Sequence, residues 1–146
     1  AFHWILNPYG VMEPAKATAQ EKLATLGADS PIVLLAIALF YSIFHSGLEE
    51  LYWRGFVFRG LREYIAVNPA IVLSSLGFMS HHVIVLAKFF GYDSVVTYLF
   101  SLGVAMGGAI WAYTYHRAQS LVPGWISHAF VDAAIFGIGY LMIFAR

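Results

Sequence analysis

The stretch from residue 30 to residue 53, SPIVLLAIALFYSIFHSGLEELYW, decides how this chain folds. No Asp, Glu, Lys or Arg occurs in it before Glu49. A helix of about 20 mostly apolar residues is long enough to cross the hydrocarbon core of a membrane. The stretch therefore predicts a membrane-spanning helix that carries a pair of carboxylates, Glu49 and Glu50, near its end.

Three further segments have the same character. They cover residues 69–91 (PAIVLSSLGFMSHHVIVLAKFFG), 94–116 (SVVTYLFSLGVAMGGAIWAYTYH) and 122–144 (VPGWISHAFVDAAIFGIGYLMIF). All are continuously apolar and lack the alternation of period two that barrel strands show, so helices are favoured. We predict an all-α, multi-pass transmembrane helical bundle with about four spanning helices.

The composition of the 146 residues agrees with a membrane location. Hydrophobic residues make up 60% and charged residues 11%, whereas soluble domains have about 45–50% and about 25%. These values exclude a soluble globular enzyme and a disordered chain. A formal net charge of +0 gives no indication of a nucleic-acid partner. The absence of cysteine removes disulfides, thiolate nucleophiles and zinc–thiolate sites.

Residues 1–30 form a separate N-terminal interfacial segment in our interpretation, ahead of a transmembrane domain over residues 31–146. Residues 1–10, AFHWILNPYG, are a short apolar piece that ends in turn signals. Residues 13–27, EPAKATAQEKLATLG, predict a short helix at the membrane surface. Because the chain starts at Ala1 without a Met, we expect a processed or truncated N-terminus.

Arginine residues mark one side of the predicted bundle. Arg59 and Arg62 lie between spans one and two, and Arg117 lies between spans three and four, so all three share a side. Lys88 and Arg146 fall on the other side. The positive-inside rule places the three arginines in the cytoplasm.

Ionisable residues interrupt the apolar segments in three clusters. Such a group costs about 2.5–3.5 kcal/mol in a membrane-spanning helix, so its presence needs a reason. Hydrogen bonding between helices is one reason. Three clusters on three different spans favour a shared functional pocket instead. The members are Glu49, Glu50, Arg54, His81, His82, His128 and Asp132.

The spacing of the first cluster separates the roles of its two glutamates. Glu50 and Arg54 are four residues apart, so they lie on one helix face and can pair. Glu49 points about 100° away around the helix. A carboxylate held away from water is a stronger base and, beside a histidine, can deprotonate a water molecule. That chemistry suits amide hydrolysis, although proton transport or a metal site would use the same residue types.

Taken together, the clusters resemble the CAAX protease and bacteriocin-processing family, also called the CPBP or Abi family. Its members are multi-pass intramembrane glutamate proteases with the pattern E-E-x-x-x-R, then F-x-x-x-H, then H-x-x-x-N or H-x-x-x-D. This chain has Glu49-Glu50-x-x-x-Arg54, Phe78-x-x-x-His82 and His128-x-x-x-Asp132 in that order. The resemblance extends roughly from residue 31 to the end of the chain.

The resemblance implies an intramembrane endopeptidase whose catalytic domain is residues 31–146. Glu49 would be the base that activates water, together with His82. Glu50 and Arg54 would form the ion pair that supports it. No cofactor is implied, and the partners would be a peptide or protein substrate and membrane lipid. A multi-pass location in a bacterial inner membrane is the corresponding expectation.

His128 and Asp132 would line the oxyanion side of the site by the same resemblance. Asp132 stands where members that cut prenylated proteins carry Asn. An ionised Asp would repel an oxyanion, so we expect Asp132 to orient His128. This residue also argues for a bacterial-type member rather than one with a CAAX substrate.

Three other functions compete with the glutamate protease. A zinc-dependent membrane protease would use His82, His128 and a carboxylate as ligands, but no H-E-x-x-H motif is present. A rhomboid-like serine protease would use Ser46 and His128, but its G-x-S-G motif is incomplete. A non-catalytic membrane subunit, acting as a scaffold or helper with other membrane subunits, would retain the motif residues without activity.

Depth along the helices gives a further prediction. Counted from Pro69, His82 lies deeper than Glu49, so the two meet only if span two starts later, near Ser74, or tilts, and we favour the late start. We therefore predict an interfacial helix around Gly60–Asn68.

Three other features of the spans carry predictions. By helical spacing, His81 points about 100° away from His82. His45 stands four residues before Glu49, where it can hydrogen bond that carboxylate or pack in the core. Gly103 and Gly107 form a GxxxG pattern that predicts close packing of span three.

Overall fold

The computed structural model describes residues 13–25 and 30–144, and all the regular structure in these ranges is helical. Five helices follow one another, and four of them are long and apolar enough to cross a membrane. The predicted all-α, four-span bundle and its short N-terminal helix are thus confirmed. Residues 1–12 and 26–29, on which other predictions for the N-terminal segment depend, lie outside the described residues. The helices are α1 (Glu13–Thr25), α2 (Pro31–Arg62), α3 (Val67–Phe90), α4 (Val95–Ala118) and α5 (Val122–Phe144).

Helix α2 is the longest element and changes its winding along its length. Ser30 caps its start by accepting a hydrogen bond from the backbone N–H of Val33. The helix is π-helical over Phe40–His45 and again over Leu51–Phe58. The α-helical turn Ser46–Glu50 separates these two segments. Because π-helical turns are rare and often occur at functional sites, their position around the glutamates directs attention to that turn.

The ends of the helices differ from the sequence-based prediction. No separate interfacial helix occupies residues 60–68, because α2 continues to Arg62 and α3 begins at Val67. Glu49 therefore lies about 20 Å from the end of α2, and His82 lies at a similar depth in α3. The prediction that span two starts near Ser74 was wrong. The difference in depth between Glu49 and His82 on which it rested disappears, because α2 is longer than predicted.

The first residues of α5 lie further inside the bundle than the last residues of α2. The side chain of Leu121, just before α5, lies against Gly55, which is well inside α2. His128 is therefore level with the glutamates although it comes early in its own helix.

The interior of the bundle contains many small and polar side chains beside a few aromatic rings, and the outside is apolar. Ser46, Ser74, Ser75, Thr97 and Ser101 are buried, whereas most large aliphatic and aromatic side chains of the spans are exposed. In a membrane the lipid accommodates apolar surface, so helices associate through close packing and hydrogen bonds. The distribution fits a multi-pass membrane protein.

The close contact on α4 occurs at Gly108 rather than at the predicted GxxxG pair. A Cβ atom at Gly103 would meet nothing within 4 Å, and one at Gly107 would meet only Trp111 of the same helix. A Cβ atom at Gly108 would lie 3.1 Å from the Phe78 ring. The buried residues of α4 follow a different stripe: Thr97, Ser101, Ala105, Gly108, Trp111 and Ala112.

Candidate active site

A buried ion pair forms the base of the candidate site. Glu50 and Arg54 are 1% and 2% exposed, and the Arg54 Nη1 atom lies 3.0 Å from Glu50 Oε1. Arg54 Nη2 also donates a hydrogen bond to the carbonyl oxygen of Gly108, at 3.1 Å. The guanidinium carbon lies 4.6 Å from the centre of the Phe78 ring, within the range of cation–π attraction. Arg54 is thereby held by three helices and compensates the charge of Glu50.

Two glycines allow the backbones of α4 and α5 to approach this pair. A Cβ atom at Gly124 would lie 3.0 Å from Glu50 Oε2, and one at Gly108 would lie 3.4 Å from Arg54 Nη2. A Cβ atom at Gly124 would press on the Glu50 carboxylate, whereas one at Gly108 would press on the Phe78 ring, 3.1 Å away, and would only touch Arg54. The glycines are therefore part of the construction of the site.

His128 connects the two glutamates. Its Nδ1 atom lies 2.9 Å from Glu50 Oε1, and its Nε2 atom lies 3.5 Å from Glu49 Oε2. The ring stacks on Trp111 with centres 4.0 Å apart. Trp111 is fixed in turn, because its Nε1 atom donates to Ser127 Oγ at 2.8 Å. These contacts leave the His128 ring little freedom to rotate.

Asp132 lies beside His128 without hydrogen bonding to it. Its Oδ1 atom is 3.7 Å from His128 Nε2, which is longer than a hydrogen bond. Glu50, which the sequence analysis paired only with Arg54, is the carboxylate that hydrogen bonds the His128 ring. The spacing H-x-x-x-D correctly predicted that Asp132 lies near His128, but it did not identify Glu50 as the residue that hydrogen bonds His128.

Histidine rings surround the carboxylate of Glu49. Glu49 is 9% exposed, and its Oε1 atom lies 3.1 Å from His81 Nε2 and 3.4 Å from His45 Nε2. His81, predicted only to point about 100° away from His82, is thus the histidine nearest to Glu49. His81 stacks parallel to Trp53 of α2, with ring centres 5.8 Å apart, and this contact turns it toward Glu49.

His82 approaches Glu49 less directly than His81 does. Its Nδ1 atom lies 3.0 Å from the carbonyl oxygen of Phe78, and its ring packs on the Phe78 ring with centres 4.6 Å apart. Glu49, His81 and His82 each offer one ligand atom, and these atoms all lie within 4.8 Å of one another. The three side chains could hold a metal ion, a different set from the predicted His82, His128 and carboxylate.

An apolar groove of about 880 Å³ runs between α2 and α5. Its wall includes Leu34 and Leu35 on one side and Phe136 on the other. Ser42 and Ala129 also line it, and Ala129 directly follows His128 in the sequence. Among the described residues, no member of the glutamate and histidine cluster lines the groove, so it lies beside the site rather than within it.

All six residues predicted for the site thus come from three helices to one place, and two further histidines join them. The predicted residues are Glu49, Glu50, Arg54, His82, His128 and Asp132. Helical spacing identified His45 as a possible partner of Glu49. No signal in the sequence singled out Trp111, Gly108 or Gly124, because their roles depend on which helices meet.

Comparison with known protein families supports the same interpretation. The family described as "Type II CAAX prenyl endopeptidase Rce1-like" matches residues 31–134. This range covers all three motifs, and the chain belongs to that family. Membership implies a protein or peptide substrate. The comparisons with curated proteins and with solved structures found no match.

Proposed function

We propose that this protein is an intramembrane endopeptidase that hydrolyses a peptide bond with water activated by Glu49. The observation that carries the proposal is the contrast between the two glutamates. Glu50 Oε1 contacts Arg54 Nη1 at 3.0 Å and His128 Nδ1 at 2.9 Å. Glu49 is surrounded by histidines and has no arginine partner among its ion pairs in the described part of the chain. Glu49 is therefore the carboxylate available for proton transfer.

The distance between Glu49 and His82 suits a bridging water molecule. A water that hydrogen bonds both groups joins atoms up to about 5.5 Å apart, since each bond is about 2.7–2.8 Å long. The relevant atoms lie within 4.8 Å of one another. His82 and Glu49 together would hold the attacking water, while His81 positions the Glu49 carboxylate from 3.1 Å.

The reaction then proceeds in two steps. In the first step Glu49 takes a proton from the water, and the water oxygen attacks the carbonyl carbon. The electron pair of the carbonyl bond moves to its oxygen, which becomes the oxyanion. The carbon–nitrogen bond then breaks, and the proton passes from Glu49 to the leaving nitrogen. The Nδ1 atom of His128 faces Glu50, so Nε2 is the ring nitrogen that can donate a hydrogen bond to the oxyanion when it carries a proton.

The apolar groove supports a membrane-embedded substrate. Hydrocarbon surface lines most of it, and Ala129 in its wall directly follows His128 in the sequence. A lipid-modified or membrane-spanning peptide segment would lie in it and present its polar peptide bond at the histidine cluster. A location in a bacterial inner membrane and association with other membrane subunits remain predictions.

The first test is cleavage of a library of apolar peptides by the protein in liposomes. Glu49→Gln keeps the shape of the side chain but removes the base, so we expect a loss of about 10²–10⁴-fold in kcat. Glu63→Gln, at an exposed position in the turn after α2, is the matched control and should cleave like the wild type. Absence of cleavage by folded wild-type protein would instead favour the non-catalytic subunit.

A zinc-dependent protease is a second candidate, favoured by the grouping of Glu49, His81 and His82. Catalytic zinc commonly has three protein ligands and an open position for water. A chelator separates the two mechanisms in the same assay. Cleavage that persists in chelator supports the glutamate mechanism, and cleavage that is lost and then restored by zinc supports the metalloprotease.

A further inference from the structure

A second cavity lies where α2 and α4 finish on the same side of the bundle. Its volume is about 440 Å³. Its lining residues come from the last turns of α2 and α4. They are Phe58, Arg59, Arg62, Tyr115, His116 and Gln119.

Buried aromatic packing forms the floor of this cavity. Phe58 is 2% exposed and meets Tyr115 edge to face, with ring centres 6.1 Å apart. Arg62 donates a hydrogen bond to the carbonyl oxygen of Ile65, which places its side chain over the turn between α2 and α3. The cavity thus combines an aromatic floor with an arginine that already has one hydrogen-bond partner.

The lining residues favour an anion. Two guanidinium groups, an imidazole, a phenol and an amide all supply hydrogen-bond donors. Of the described residues that line the cavity, none carries a carboxylate. Arginine is well suited to phosphate because its planar group can donate two parallel hydrogen bonds to two oxygens.

The position of the cavity indicates where the anion comes from. Arg62 ends α2 and Ala118 ends α4, so the cavity lies where the spans leave the hydrocarbon core. Lipid phosphates occupy this level, and basic pockets between spanning helices recognise anionic headgroups. The volume falls within the range of about 300–1,000 Å³ that is typical of small-ligand sites. We propose that this cavity binds the phosphate group of an anionic phospholipid.

A simpler use of the arginines is to offset the negative end of each helix dipole. That effect depends on charge alone and is served equally well by lysine. Lysine cannot replace arginine in lipid recognition by two parallel hydrogen bonds, so an exchange of Arg for Lys distinguishes the two explanations.

The experiment measures lipid binding to the purified full chain by native mass spectrometry. Phosphatidylglycerol and phosphatidylcholine are offered separately, and inorganic phosphate is offered as a competitor. The variants are Arg59→Gln, which leaves the Arg62 hydrogen bond in place, and the double variant Arg59→Lys with Arg62→Lys. Arg117→Lys, outside the cavity lining, is the matched control.

We expect phosphatidylglycerol to bind about tenfold more tightly than phosphatidylcholine. The double lysine variant should lose about tenfold in affinity, as for one charge-assisted hydrogen bond, and Arg59→Gln should lose at least as much. Arg117→Lys should bind as the wild type does. Equal retention of both lipids, unchanged binding by the lysine variant, or full displacement by inorganic phosphate would each overturn the proposal. None of these readouts depends on peptide cleavage.

Discussion

At the scale of single residues, Arg54 is the group on which the arrangement of the site depends. It is buried, contacts Glu50 and Gly108, and lies over the Phe78 ring. Its removal would leave a carboxylate without a countercharge in the interior of the bundle. The ion pair is thus more important for what its loss would expose than for its net contribution to stability.

The substitution Arg54→Met tests this dependence. We expect it to lower the free energy of unfolding by about 3–5 kcal/mol, because Glu50 is then buried without a partner. Thermal unfolding in detergent measures the change. The double variant Arg54→Met with Glu50→Gln removes the charge on both sides and should recover much of the loss. If it recovers nothing, packing of the arginine stem, rather than charge, is the reason.

His81 provides a second prediction at this scale. Its Nε2 atom lies 3.1 Å from Glu49, so His81→Gln should lower kcat at least tenfold through misplacement of the carboxylate. KM should stay within about twofold of the wild type, since the apolar groove is unchanged. Ser80→Ala, an exposed neighbour on the same helix, is the control. A rise in KM with unchanged kcat would contradict a positioning role.

The sequence was sufficient to predict which residues gather and which of them pair within one helix, but not which residues pair between helices. The motifs identified Glu49, Glu50, Arg54 and His128, because residues four positions apart lie on one face of a helix. They did not reveal that His81 faces Glu49. Spacing gives the angle between two side chains on a helix, but the direction of the neighbouring helix decides which of them meets it.

At the scale of helices, Gly108 determines how closely α4 approaches α2 and α3. Gly108→Ala would bring a methyl group to 3.1 Å from the Phe78 ring and 3.4 Å from Arg54. We expect a loss of about 1–3 kcal/mol in stability from this overpacking. Gly103→Ala, which meets nothing within 4 Å, should be neutral or slightly stabilising. Equal thermal stability of the two variants in detergent would contradict this assignment.

The existence of the helices could be predicted more reliably than their ends. Four long apolar runs fix the number of spans, because exposed backbone is not tolerated in lipid. The continuation of α2 to Arg62 was missed, since the segment after Trp53 alternates apolar and charged residues. The π-helical segments were missed as well, because they depend on contacts between helices. One such contact is the hydrogen bond from Trp125 Nε1 to the carbonyl oxygen of Ile43.

At the scale of the whole molecule, the bundle has an arginine end and an end near Lys88. Arg59, Arg62 and His116 line one cavity, so the loops after spans one and three share a side, as predicted. The positive-inside rule assigns this side to the cytoplasm. The absence of cysteine makes the assignment simple to test, since each introduced thiol is the only one in the chain.

We expect Arg117→Cys to be labelled by an impermeant maleimide only when the cytoplasmic face is accessible. Asp93→Cys, exposed at the other end, should be labelled from the opposite face. Right-side-out and inverted vesicles provide the two conditions. The reverse pattern would show that the bundle is inverted in the membrane, and labelling of both thiols from one face would contradict four spans.

The two π-helical segments of α2 have a consequence for how this helix can change over evolutionary time. Each wide turn accommodates one residue more than an α-helical turn. Loss of one residue from Phe40–His45 would restore the ordinary winding and leave Pro31–Leu39 facing almost the same way relative to Glu49, because a π-helical turn and an α-helical turn both complete about 360°. The groove wall and the glutamates would both stay in place. Insertions and deletions of a single codon within these two segments are thus changes that α2 can absorb while the site and the wall of the groove are preserved.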